Sequence, residues 1–97
     1  MEFEFSETKS AANGDKHGIN FVEAQTLWRV FGVISRLPFP LEDRWLRVAM
    51  LGSRHWSAVF TLRGENIRLI SVRRARKDEV HSYELARHTQ DEHDYQP

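Results

Sequence analysis

Hydrophobic positions change their period several times along this chain, and each change marks an element. Phe3 and Phe5 alternate with Glu2 and Glu4, the period-two pattern of a short strand with one apolar face. Ser6 stands as an N-cap for a helix predicted over Glu7–His17, with Glu7 at its positive end and Gly18 as a left-handed stop. Gly14 is unfavourable inside that helix, about 1 kcal/mol worse than Ala. Asn20 and Glu23 have the spacing of a capping box, flanked by Ile19 and Ala24 as a hydrophobic staple. The helix they open is predicted to run to about Phe31, with Phe21, Ala24, Leu27, Trp28 and Phe31 as its core stripe.

Gly32, Pro38 and Pro40 interrupt the pattern, so residues 32–43 read as a loop with a short edge strand near Val33–Arg36. Three strands follow, Trp45–Leu51, His55–Leu62 and Ile67–Arg73, joined by turns at Gly52-Ser53-Arg54 and Arg63-Gly64-Glu65-Asn66. The third carries apolar residues on both faces, as a central strand does. A last helix is predicted from Arg74 to about Arg87, through Val80, Tyr83, Glu84 and Ala86. His88 to Pro97 is polar and reads as a disordered tail. The expectation is one α+β domain over residues 1–87: an N-terminal strand and two helices, an antiparallel three-stranded meander and a C-terminal helix.

With 97 residues, 40% of them hydrophobic, the chain has one modest core and no room for a deep interdomain cleft. Any site must be shallow. The absence of cysteine removes disulfides, thiolate catalysis and cysteine metal sites, and suits a reducing cytoplasm. The start Met1-Glu2-Phe3-Glu4-Phe5 has no basic n-region, and no window reaches 18 apolar residues. Neither a signal peptide nor a membrane span is expected, and the cytoplasm is the expected location.

The net charge of zero conceals an asymmetry. From Arg44 to Lys77 nine basic residues face one acid, Glu65, a local balance of +8. They are Arg44, Arg47, Arg54, Arg63, Arg68, Arg73, Arg74, Arg76 and Lys77. Arginine forks planar donors onto phosphate oxygens, so the face they form suits nucleic acid; the plainer alternative is a solvated sheet face.

The densest cluster is Arg73-Arg74-Ala75-Arg76-Lys77, where the last strand meets the last helix. Strand alternation would send Arg73 and Arg74 to different sides. Glu79 and Tyr83 follow at an i, i+4 spacing, and the first helix adds Asn13, Lys16 and His17. Each has an ordinary alternative: a surface pair with Arg76 for Glu79, the core for Tyr83, the last helix carbonyls for His17. No Gly-x-Ser-x-Gly elbow, P-loop or dinucleotide fingerprint occurs. His17, His55, His81, His88 and His93 show no zinc-site spacing, so neither a metal nor a cofactor is expected. Metal-free RNA cleavage fits better, because the 2′-hydroxyl of RNA is itself the nucleophile. The protein need only move protons and hold the extra negative charge at phosphorus.

Four segments carry a resemblance. They are Phe3-x-Phe5 with Lys9-x-x-Ala12-Asn13-x-x-Lys16-His17-Gly18-Ile19-x-Phe21-x-Glu23-Ala24; Asp43-Arg44-Trp45; Phe60-Thr61-x-Arg63-Gly64-x-x-Ile67-Arg68-Leu69-Ile70-Ser71-x-Arg73-Arg74-Ala75; and Glu79-x-x-x-Tyr83-Glu84. Together they resemble the BrnT-type toxins of bacterial type II toxin–antitoxin pairs, a branch with a RelE-like fold. The resemblance implies a ribonuclease that stops growth by cutting RNA. It also implies a BrnA-type antitoxin that neutralises it and lets the complex repress its own operon, with a hetero-oligomer such as two chains of each expected. By the same resemblance Lys16, His17, Arg44, Arg63, Arg73, Arg74, Glu79 and Tyr83 are site candidates. Arg44, Arg73 and Arg74 would hold the phosphate, His17 or Lys16 would transfer protons, and Glu79 would orient a partner. Arg47, Arg54, Arg68, Arg76 and Lys77 are the further RNA-binding candidates. Gly14 and Ala49 depart from the usual pattern of the family, where a larger residue and a glycine are common. The rival readings are a basic nucleic-acid-binding module without catalysis and a subunit that only holds its partner.

Overall fold

The computed structural model describes residues 1–94, with side chains to residue 90. It is a five-stranded sheet with helices on both faces. Strands β1 (Phe3–Glu4), β2 (Gly32–Leu37), β3 (Arg44–Leu51), β4 (Arg54–Arg63) and β5 (Asn66–Arg74) lie in the order β1-β5-β4-β3-β2. The expected meander, β3-β4-β5, is therefore the centre of a wider sheet. Edge strand β2 pairs antiparallel with β3, and β1 pairs parallel with β5, placing Phe3 opposite Ile67. The α+β class holds, with more strands than three.

Helix α1 (Glu7–His17) matches its prediction, with the Ser6 hydroxyl accepting from the Lys9 N–H and Gly18 closing it at φ 81°. It has no apolar stripe. Its buried side chains are Ser10 and Asn13, and both are hydrogen-bonded. Asn13 works as one more peptide at the sheet edge: its Oδ1 accepts from the Val72 N–H at 3.1 Å, and its Nδ2 donates to the Val72 and Ile19 carbonyls, each at 2.8 Å. The open edge of β5 beyond β1 is satisfied by this side chain.

The capping box of Asn20 and Glu23 forms as predicted, but the second helix stops early. Helix α2 (Phe21–Ala24) passes into a 3-10 turn, Gln25–Trp28, instead of running to Phe31. The cause is Arg47, whose guanidinium takes the Leu27 carbonyl at 3.0 Å and the Val30 carbonyl at 2.8 Å. A continuing helix would need the Leu27 carbonyl for its own ladder.

The last helix, α3 (Lys77–Asp94), also differs from its prediction. It begins three residues later than Arg74, because β5 stays paired through Arg74 opposite Trp56 and the Ala75 N–H donates to the His55 carbonyl. It then continues past Arg87 to Asp94, so the first part of the expected tail is helical. Residues 95–97 of that tail lie outside the described residues. No helix among the described residues is long and apolar enough to cross a membrane.

The two sheet faces bury different cores. α1, α2 and the 3-10 turn cover Ala49, Ala58, Phe60, Ile67, Leu69 and Val72, with Ile19, Phe21 and Leu27 inserted from above. The opposite face is covered at one end only, where Tyr83 of α3 packs with Leu46, Val48, Phe31 and Val59. The rest of that second face is open, and the site lies there.

Candidate functional site

One irregularity decides which side chains reach the open face. Val59 pairs with Ser71 while Phe60 pairs with Leu69, so Ile70 is an extra, unpaired residue in β5. Such a bulge resets the alternation. Strict alternation would place Arg73 with Ile67 and Leu69 under the helices. After the bulge it is Val72 that joins them in the core, and Arg73 shares the open face with Arg68.

On that face Arg73 meets Glu79 head-on. Its Nη1 donates to Oε1 at 2.8 Å and its Nη2 to Oε2 at 2.9 Å. The same carboxylate accepts from the Ser57 hydroxyl at 2.8 Å and from the Arg76 backbone N–H at 2.9 Å. The last bond is half of a capping box, so Glu79 fixes the start of α3 as well as the arginine. Hydrogen bonds from Arg73, Arg76 and Ser57 outweigh burial and hold the Glu79 carboxyl down at about 2. It stays a carboxylate at any physiological pH and orients Arg73 without exchanging protons. The pairing in turn raises Arg73 above its ordinary value. A second Nη1 hydrogen reaches the Arg74 carbonyl at 3.3 Å. The side fork of Arg73, Nε–H and the remaining Nη2 hydrogen, has no hydrogen-bond partner among the described residues. Two parallel donors are thus presented at a fixed angle, the geometry that suits a phosphate.

A groove of about 270 Å³ runs beside this pair, lined by Val33, Ser35, Leu46, Val48, Asp78 and Glu79. Further along the face Arg68, Thr61 and Arg44 form a row across three strands, since Thr61 pairs with Arg68 and Arg44 precedes Trp45, the partner of Phe60. Thr61 stands four positions along β4 from Ser57, so this row lies about 13 Å from Arg73 at the usual strand rise. Arg68 stands 3.9 Å from Glu4, beyond hydrogen-bond reach, and Arg44 is 3.1 Å from Glu42 with its guanidinium 3.7 Å over the Phe39 ring.

The other candidates are dispersed. Arg74 leaves β5 on the opposite face and lies over Trp56, 5.7 Å from the ring centre. Arg47 is on that opposite face too, tied to the Leu27 and Val30 carbonyls, and burial lowers its ordinary value. Lys16 and His17 lie at the end of α1 beside the edge of β5; Asn13, one turn earlier, is bonded to Val72, the neighbour of Arg73. Arg54, Arg63, Arg76 and Lys77 are exposed, Arg63 at the far β4–β5 turn. Tyr83 is buried, its ring edge-on to Phe31 and His55.

Two participants escaped the sequence reading: Ser57, which bonds Glu79, and His55, which bonds Glu84 at 2.7 Å. A signal was present, since they are alternate polar positions in the apolar run His55-Trp56-Ser57-Ala58-Val59-Phe60. Among the described residues no three His, Asp or Glu side chains gather in a group able to hold a metal ion.

Residues 5–79, which include the Arg73–Glu79 pair and the strand that carries it, match the family model described as ribonuclease toxin, BrnT, of type II toxin–antitoxin system. The chain belongs to the BrnT family. A comparison with curated proteins found no match. Membership makes the chain a ribonuclease toxin by family and implies an antitoxin as its partner. In BrnT terms the matched segment covers the N-terminal helix, strands β2 to β5 and the first turn of α3, and leaves out β1, Tyr83 and Glu84.

Proposed function

We propose that this BrnT chain cuts RNA without a metal ion, by attack of a 2′-hydroxyl on the adjacent phosphate, on the open face of its RelE-like sheet. The observation that carries the reading is the side fork of Arg73, held in place by Glu79 and left without a hydrogen-bond partner among the described residues, on the face it shares with Arg68 and Arg44. A phosphate on that fork gains two charge-assisted hydrogen bonds, which strengthen as negative charge accumulates at phosphorus. Arg68 and Arg44 extend the path of the RNA backbone; Arg54, Arg63, Arg76 and Lys77 add exposed charge around it. Arg74, Lys16 and His17 stand at the sheet edge, where Lys16 or His17 serves the leaving 5′-oxygen. Tyr83 acts through the core, fixing α3 and so Glu79.

The antitoxin, of BrnA type, covers this face and neutralises the toxin, in an assembly of two chains of each that represses its own operon. The cytoplasm, where its RNA lies, is the proposed location. The test is cleavage of a defined, end-labelled RNA in EDTA, beside the same sequence carrying 2′-deoxyribose throughout. Cutting of the ribose substrate alone, leaving 2′,3′-cyclic phosphate ends, supports the reading. Salt-sensitive binding with no product would replace it by a non-catalytic nucleic-acid module.

A further inference from the structure

Beyond the Arg73–Glu79 pair the same sheet face holds a second ionisable pair, at the end that α3 covers. His55 and Ser57 are alternate residues of β4, so their side chains share a face about 7 Å apart. Ser57 bonds Glu79 and lies opposite Arg73. His55 is therefore the diagonal neighbour of Arg73, about 7–8 Å away, the span of a phosphate and its ribose. Its ring stands edge-on to buried Tyr83 with centroids 5.0 Å apart, and its side chain is 19% exposed, held yet reachable.

The partner of His55 sets its chemistry. Nε2 lies 2.7 Å from Oε1 of Glu84, and a carboxylate can only accept, so Nε2 carries the hydrogen. In the neutral ring Nδ1 is then unprotonated, and it has no hydrogen-bond partner among the described residues, nor is it fully buried. A base with its second nitrogen fixed by a carboxylate is the arrangement of hydrolase triads.

We infer that His55 is the general base of the reaction and Glu84 its positioning residue, an assignment that rests on the ribonuclease reading above. The 2′-O–H bond breaks and its proton passes to Nδ1. The oxygen's electron pair forms a new P–O bond while the phosphate is held on the Arg73 fork. The P–O5′ bond breaks, and the 5′-oxygen keeps that pair and takes a proton from a second acid or from water. The products are a 2′,3′-cyclic phosphate and a 5′-hydroxyl, with no change of oxidation state. The imidazolium is stabilised by Glu84 until it returns its proton to solvent.

The test measures single-turnover cleavage by wild type, His55→Ala and Glu84→Gln on two RNAs, one normal and one with sulfur in place of the 5′-oxygen at the cut. His55→Ala should cut at least 100-fold more slowly at unchanged KM, recover in part with added imidazole, and keep its deficit on the sulfur substrate, whose leaving group needs no proton. Glu84→Gln keeps an acceptor for Nε2–H but loses the charge. It should cost about tenfold in kcat at wild-type melting temperature, and it carries the test if His55→Ala fails to fold. Full recovery of His55→Ala on the sulfur substrate would make His55 the acid and overturn the assignment. So would wild-type rates in both variants. Failure of the wild type to cut at all would instead strike the ribonuclease reading itself.

Discussion

Arg73 and Arg74 are neighbours in the chain and leave β5 by opposite faces of the sheet: Arg73 lies 2.8 Å from Glu79 beneath α3, and Arg74 lies over Trp56. The bulge at Ile70 determines which of them faces the open side. The two arginines thus cannot grip one phosphate from a common surface, and the charge of the cluster is divided between a fixed fork and a free one.

Glu79 makes stability depend on acid. Its carboxyl is held at about 2, below the ordinary 4.5, so folding favours the deprotonated form. The stabilisation is fully present above about pH 4.5 and is lost as the pH falls towards 2, in total about 2 kcal/mol for this mostly buried side chain. Urea unfolding of wild type and Glu79→Gln at pH 7 and at pH 2.5 should show a gap between them that shrinks on acidification. A gap independent of pH would contradict it.

Asn13 binds α1 to the sheet with three hydrogen bonds, all buried. Asn13→Ala should cost about 2–4 kcal/mol, because three backbone groups lose their partner away from water. Asn13→Asp should not restore stability, since a carboxylate cannot donate to the Val72 and Ile19 carbonyls. The urea midpoints of the two variants check this.

Gly32 and Arg47 form a packing pair. A Cβ on Gly32 would stand 2.7 Å from Cζ of Arg47, whose guanidinium is pinned by the Leu27 and Val30 carbonyls and lies 5.6 Å from the Trp28 ring centre. Gly32→Ala should cost about 1–2 kcal/mol, and much less in an Arg47→Met background, a non-additivity that a double-mutant cycle measures. Arg47→Met alone should leave the salt dependence of RNA binding unchanged. Arg68→Ala should lower its slope by about 1, as the loss of one phosphate contact does.

Much of this was legible in the sequence. The caps Ser6, Gly18 and Asn20 delimit their helices where local chemistry says they must, because each satisfies a backbone group within a few residues. The three central strands appear within one residue at either end, carried by alternation and by short turns. What the pattern hid depends on distant partners. Arg47 reads as one more phosphate ligand until it is seen to end a helix 20 residues earlier in the chain. The first helix reads as weak because its anchors, Ser10 and Asn13, are polar. Arg73 can be assigned a face only once the bulge opposite Val59 and Phe60 is known, and an extra residue in one strand leaves no local signature here.

The face is the central claim, and one comparison tests it most directly. Single-turnover cleavage of the same RNA by Arg73→Ala and Arg74→Ala, each shown to be folded at the assay temperature, separates the two sides of the sheet. Arg73→Ala should lower the rate at saturating RNA by at least 100-fold, the usual effect of losing a donor to developing charge. Arg74→Ala should stay within about tenfold and act on KM, as an exposed phosphate contact does. Equal losses, or a larger loss in Arg74→Ala, would contradict the account and move the reaction to the other face.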